Sequence, residues 1–288
     1  MTKPIWVFEA GTYRTGSTTH YQMVRDVVQT TNSGIAIGYH NERRLRGFDA
    51  LDFSDLEAVQ AIYKEHYKDR KIACPFTEVP QFSRQAPYIV CKVFEYLPDG
   101  FRKGPSHGQL INRQKRLKVV VSIRDPRDIA TSMRRREEQR SDDGRKDSKP
   151  FDFEELVTQQ FPIWLGAVEK WIDLGPDVTL VSKFEDFTQN LEGEARRIAA
   201  HLSIEIDDAT AQRIAGDYQV DAIRKRKDKF WQKRRKDPDV NEDTALPSIP
   251  ALLFASSGQW QRELSKEEAK LVYRANRGFF ERFGYREE

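Results

Sequence analysis

Five apolar runs punctuate the chain, and among them lie stretches whose apolar residues recur at helical spacing. The runs are Ile5-Trp6-Val7-Phe8, Gly34-Ile35-Ala36-Ile37-Gly38-Tyr39, Tyr88 to Phe94, Val119 to Ile123 and Val178 to Val181. Continuous runs of this length suit strands covered on both faces. Helices are predicted from Ser17, over Ser54 to Tyr67 with Asp52 or Ser54 as cap, and over Phe153 to Leu174. In the third, Leu156, Phe161, Trp164, Leu165, Val168 and Trp171 form the core-facing stripe, and Gly175-Pro176 ends it. Further helices are predicted around Leu191 to Leu202 and from Ser265, with the capping box Ser265-x-x-Glu268, to near Gly284. The charge-dense stretch from Met133 to Lys149 reads as a loop or frayed helix end. Strand–helix alternation without an internal repeat predicts one α/β domain over residues 1–288: a mostly parallel central sheet with helices on both faces, of the phosphate-loop nucleotide-binding type.

Two motifs carry chemistry. Arg14-Thr15-Gly16-Ser17-Thr18-Thr19 lies between the first strand and first helix, where backbone N–H groups and the helix dipole face an anion. Read from Gly11 it is Gly-x4-Gly-Ser-Thr, a phosphate loop with Ser17 in place of the usual lysine and Arg14 inside the loop. The second motif is Arg124-Asp125-Pro126-Arg127-Asp128 at the end of the fourth apolar run, with Ser132 eight residues after Arg124. A guanidinium at a strand end and a hydroxyl in the next helix can grip one phosphate from two sides.

At these residues the chain resembles the sulfotransferases that use 3′-phosphoadenosine-5′-phosphosulfate (PAPS). Arg14 to Thr18 is similar to the family's 5′-phosphosulfate loop, and Arg124 with Ser132 to its 3′-phosphate site. Val178 to Phe187 resembles the late strand ending in aromatic-Glu-Asp, and Gly258-Gln259-Trp260 the C-terminal nucleotide loop. The resemblance implies in-line sulfuryl transfer from PAPS to a hydroxyl, or an amine, leaving adenosine 3′,5′-bisphosphate (PAP), with no metal required. It implies that Arg14, Thr15, Gly16, Ser17, Thr18 and Thr19 hold the 5′-phosphate, and that Arg124 and Ser132 hold the 3′-phosphate. Phe184, Ser257, Gly258 and Trp260 complete the nucleotide site, and Lys92 is a second cation on the sulfuryl oxygens. Glu42 ranks first as base, since related tyrosylprotein and glycolipid sulfotransferases carry a glutamate in a comparable place; His40 and then Glu95 follow. Departures are the arginine in the loop, Ser256-Ser257 where many members carry a basic pair, and no histidine in Lys92-Val93-Phe94-Glu95-Tyr96-Leu97-Pro98.

Composition narrows the partners. A net charge of +3 over 288 residues gives no signature of a nucleic-acid binder, and no apolar run is long enough to span a bilayer. The chain enters its first strand without a signal-peptide pattern, so a cytoplasmic location is expected. Two cysteines, Cys74 and Cys91, make no disulfide framework. His20, His40 and His107 are each read first as satisfied or solvated, and the basic run Arg224 to Lys236 as a solvated face or a lid. Tyr39, Phe48, Phe94, Tyr96 and Phe101, with Arg43, Arg44 and Arg46, suit a small hydroxylated metabolite or sugar acceptor; the oligomeric state is open. The rival readings are a nucleotide kinase or NTPase with Asp125 on magnesium, and a scaffold that kept only the nucleotide pocket.

Overall fold

The computed structural model describes residues 5–31, 34–40, 88–93, 117–142, 151–225 and 257–287, with Asp228 and Gln232 as isolated positions. The described strands are β1 (Ile5–Glu9), β2 (Gly34–His40), β3 (Tyr88–Val93), β4 (Leu117–Ile123) and β5 (Thr179–Lys183). They form one sheet in the order β2-β3-β1-β4-β5, every pairing parallel. Burial explains the apolar runs: Val119, Val121 and Ile123 face one core while Val120, between them, faces the other. Both faces of β4 are covered, so no position on its inner half is free to be polar except Ser122, which is hydrogen-bonded.

Helix α1 (Ser17–Gln29) follows β1 and packs Met23, Val24, Val27 and Val28 into one core. Helix α2 (Pro126–Asp142) follows β4 and packs Ile129, Ala130 and Met133 into the other. The two helices leave neighbouring strands toward opposite faces. Their starts therefore flank the crevice at the carboxyl ends of β1 and β4, where doubly wound sheets bind ligands.

Of the two readings of Met133 to Lys149, loop or frayed helix end, helix α2 favours the second, since it continues to Asp142; residues 143–149 lie outside the described residues. Its charges are partnered: Arg134 pairs with Glu268, and Arg135 with Glu263 and with Gln259. The long helix from Phe153 is interrupted as well: α3 (Phe153–Glu155), a π turn over Leu156–Gln160, then α4 (Phe161–Ile172). Pro162 is the cause, since a proline ring collides with the carbonyl of the preceding turn and lacks an N–H.

After β5 come α5 (Phe184–Gln189), α6 (Leu191–His201) and α7 (Asp208–Asp217). The last of these was not expected; Asp207 caps it. The C-terminal helix is three pieces: α8 (Trp260–Glu263), α9 (Lys266–Ala275), which carries the expected capping box, and α10 (Arg277–Phe283). The break falls at Asn276, whose amide donates to the carbonyls of Val272 and, across the core, Val157. The helix expected over Ser54 to Tyr67, Cys74 and most of the basic run lie outside the described residues. Among those described, no helix is long and apolar enough to cross a membrane.

Candidate active site

Between β1 and α1 the backbone takes two left-handed residues, Arg14 at φ 64° and Gly16 at φ 80°. Gly16 is the N-cap of α1 and supplies no side-chain cap, so the first N–H groups of the helix are left to the crevice. Two close approaches require glycine. A Cβ on Gly16 would lie 2.7 Å from Phe184 and 2.9 Å from Phe187, and one on Gly11 would lie 2.1 Å from the Ser122 hydroxyl. Side chains then brace the loop from inside. Thr15 Oγ1 donates to the Thr12 carbonyl at 2.8 Å and lies 2.9 Å from Ser122 Oγ; Ser17 Oγ donates to the same carbonyl at 3.1 Å. The buried Thr12 and Thr19 hydroxyls make no hydrogen bond among the described residues.

The two sequence motifs meet. Arg14 Nε donates to Ser132 Oγ at 2.8 Å, and Arg124 Nη1 to the Arg14 carbonyl at 3.1 Å. Arg124 lies 4.4 Å over the Phe184 ring and 3.8 Å from Asp128, so it is both ion-paired and stacked. Burial, then the charges of Arg136 and Arg124, lowers the Arg14 pKa to about 10. Guanidiniums crowd together in this way at a cost unless an anion sits among them. Phe184 is fully buried between Gly16 and Arg124, so its contact with the site runs through those two residues.

From β3, Lys92 reaches the same loop, with Nζ 2.7 Å from Ser17 Oγ and 3.2 Å from Thr18 Oγ1. The cation missing from the loop itself therefore arrives from a neighbouring strand. Burial lowers its pKa to about 8, against the pull of Glu9.

On the other side of Arg124, Asp128 accepts from the N–H groups of Gly258 (2.8 Å) and Trp260 (3.1 Å), tying the C-terminal loop to the start of α2. Trp260 stacks on Arg127, whose guanidinium lies 3.7 Å from the ring centre. Arg127 also holds Asp125 through both carboxylate oxygens (3.0 and 2.7 Å). A carboxylate engaged in this way is poorly disposed to bind magnesium, which weighs against the kinase reading. Ser257 is exposed beside this junction.

Beneath the loop lies a cluster the sequence reading left aside. Glu9, His20 and Glu194 are buried, with His20 Nε2 2.8 Å from Glu194 Oε1 and Nδ1 3.7 Å from Glu9 Oε1. The reading of His20 as a satisfied histidine holds for Nε2, which meets Glu194, while the buried Nδ1 makes no hydrogen bond among the described residues. The available signal was Glu9 itself, a carboxylate closing a strand buried on both faces. Glu42 and Glu95 lie outside the described residues, as does the side chain of His40, whose backbone ends β2.

A model of the family described as the sulfotransferase domain matches residues 5–275. Solved structures of similar fold include retinol dehydratase with androsterone and inactive cofactor PAP: 18% identical, TM-score 0.55, covering 96% of this chain and 80% of that one. Retinol dehydratase with retinol and PAP is 18% identical at TM-score 0.56, covering 96% and 82%. Mouse sulfotransferase SULT7A1 with PAP is 13% identical at TM-score 0.56, covering 96% and 84%. Among curated protein sequences, none matches.

Proposed function

The chain belongs to the sulfotransferase family, and on that premise we propose that it moves a sulfuryl group from PAPS to a hydroxyl of a small metabolite or sugar. The observation that carries this reading is the join between the two anion motifs, through Arg14 Nε to Ser132 Oγ and Arg124 Nη1 to the Arg14 carbonyl. One continuous donor surface then serves both phosphates of an adenosine bisphosphate.

The residues suit such a nucleotide. The loop has a glycine cradle that a Cβ would fill, an uncapped helix start and clustered guanidiniums that favour an anion. The backbone N–H groups of Thr15, Gly16, Ser17, Thr18 and Thr19 would hold the 5′-phosphate, and Arg124 with Ser132 the 3′-phosphate. Gly258 and Trp260, fixed by Asp128, would close over the nucleotide beside Ser257. When bound, PAPS supplies a sulfuryl group on a leaving phosphate.

The chain's own work is then positioning and charge stabilisation. Arg14 neutralises charge gathering on the leaving phosphate. Lys92, kept beside Ser17 and Thr18, holds its proton and offers an ammonium to the sulfuryl oxygens. These fixed cations do the work a metal would do in phosphoryl transfer. The acceptor hydroxyl loses its proton to a base, for which Glu42 is the first choice, ahead of His40 and Glu95. Two structural neighbours hold the alcohols androsterone and retinol beside PAP, which supports a small hydroxyl acceptor. We propose a cytoplasmic location and a single domain.

The test is incubation with labelled PAPS and fractionated metabolites, repeated with Glu42→Gln. A labelled hydroxyl product lost in that variant, with PAP affinity kept, is the expected result. Unchanged turnover moves the base to His40 or Glu95, and label only on long anionic polymers overturns the small acceptor.

A further inference from the structure

A file of buried charges runs from the phosphate loop to the protein surface, and the transfer chemistry uses only its inner end. It begins at Lys92 on β3, whose Nζ lies 3.7 Å from Glu9 Oε2 at the end of β1. Glu9 Oε1 accepts from the Gly11 N–H at 3.2 Å and from Ser122 Oγ at 3.1 Å, and faces His20 Nδ1 on α1 at 3.7 Å. His20 Nε2 then meets Glu194 Oε1 on α6 at 2.8 Å, with its ring stacked on Phe187 of α5 at 5.1 Å. Glu194 also accepts from Ser182 on β5 at 2.5 Å and from Arg197 at 2.6 Å; the Arg197 side chain is half-exposed. The signs alternate along the file: Lys92 positive, Glu9 negative, His20 positive when protonated, Glu194 negative, Arg197 positive.

Glu9 is the shared member. One of its oxygens is committed to the loop and to His20, whereas Oε2 has no hydrogen-bond partner among the described residues. Lys92 lies 3.7 Å from that oxygen and is pulled toward it, while it also donates to Ser17 and Thr18 at 2.7 and 3.2 Å. Coulomb energies add, so an imidazolium beside Glu9 repels the Lys92 ammonium and leaves it a weaker net pull toward the carboxylate than Glu9 alone would exert. We propose that His20, as an imidazolium between Glu9 and Glu194, is a positioning residue: it shares the charge of Glu9 so that the Lys92 ammonium stays with the loop hydroxyls. The proposal rests on the sulfotransferase reading only in assigning Lys92 to the sulfuryl oxygens.

The titration of the file agrees with this arrangement. Burial disfavours a charged His20, but hydrogen bonds and charges from Glu194 and Glu9 outweigh it and raise its pKa to about 9. Burial opposes the Glu194 charge too, yet His20, Ser182 and Arg197 hold its pKa down to about 2. The imidazolium is therefore the neutral-pH form, and its loss removes a like charge from the surroundings of Lys92.

The test replaces His20 by Gln, which keeps a donor for Glu194 and removes the positive charge. Lysine side-chain NMR of the full chain reads the Lys92 titration without any acceptor. The midpoint should rise by about one pH unit, as the like charge is lost. In turnover, kcat should fall tenfold or more and its alkaline limb should move upward, while PAP affinity changes less than threefold. If His20→Gln folds poorly, Glu194→Gln serves in its place. It lowers the His20 titration without touching Lys92, and should bring a matching second inflection in the Lys92 curve toward neutral pH. A folded His20→Gln, or Glu194→Gln, whose Lys92 titration matches the wild type overturns the proposal. If no acceptor is ever sulfated, the NMR titration alone decides it, and the failure falls on the sulfotransferase reading.

Discussion

Replacing Gly16 by alanine perturbs the phosphate loop at the point where its backbone and its support coincide. The residue sits at φ 80°, where an L side chain costs about 1–2 kcal/mol. The new methyl would also lie 2.7 Å from Phe184 and 2.9 Å from Phe187. Neither ring can swing aside, since Phe184 lies under Arg124 and Phe187 under His20, and both are buried. Overpacking of that kind costs about 1–3 kcal/mol more. The sum is roughly 2–5 kcal/mol, a large fraction of an ordinary domain's stability. Gly284 provides the control: it has φ 69°, but no heavy atom within 4 Å of where its Cβ would be. Gly284→Ala should therefore lose only the backbone part. Urea unfolding of both variants, with coincident slopes as the check on two-state behaviour, gives the difference directly. Gly16→Ala should be the less stable by about 1–3 kcal/mol, and should lose tenfold or more in PAP affinity while Gly284→Ala keeps it. Equal costs at the two glycines would refute the claim that the close approach of Phe184 and Phe187 requires glycine at position 16.

Three further outcomes follow from the same geometry. Arg124→Ala should weaken PAP more than adenosine 5′-phosphosulfate, by about 1.5–3 kcal/mol or roughly tenfold to a hundredfold, read by calorimetry; equal losses would make Arg124 structural. Arg14→Ala should lower kcat far more than it weakens PAP, because charge on the leaving oxygen develops only in the transition state. Stability should fall as the pH rises from 6.5 to 8, because His20 binds its proton more tightly in the folded protein. At about 1.4 kcal/mol per pH unit the His20 contribution is on the order of 2 kcal/mol by pH 8. Above that pH Lys92, whose pKa is lowered to about 8, acts with the opposite sign, so urea unfolding at pH 6 and pH 8 reads the effect, and His20→Gln should flatten it.

The apolar runs revealed the strands because a parallel sheet covered on both faces leaves no polar alternation, as Val119 to Ile123 shows. The nucleotide motifs were legible because glycine spacing and a strand-end arginine are local features. Helix breaks were not. The π turn at Leu156–Gln160 needed Pro162 to be read as an interruption rather than a helix start, and the stop at Asn276 is marked by an amide that crosses the core to the Val157 carbonyl. The reach of α2 to Asp142 was hidden because the partners of Arg134 and Arg135, Glu268 and Glu263, lie more than a hundred residues away. Lys92 was named from a resemblance, but its meeting with Ser17 and Thr18 follows from the pairing of β3 beside β1. The Glu9–His20–Glu194 file needed three elements at once, and no window of sequence contains it.

The central claim is that one surface binds both phosphates of an adenosine 3′,5′-bisphosphate, and a thermal-shift comparison tests it most directly. A ligand that binds the folded state adds about 2.7 kcal/mol of stability at a hundred times its Kd. PAP without magnesium should raise the Tm, and ATP with magnesium should leave it nearly unchanged. A larger shift with ATP and magnesium, or no shift with PAP, would contradict the account.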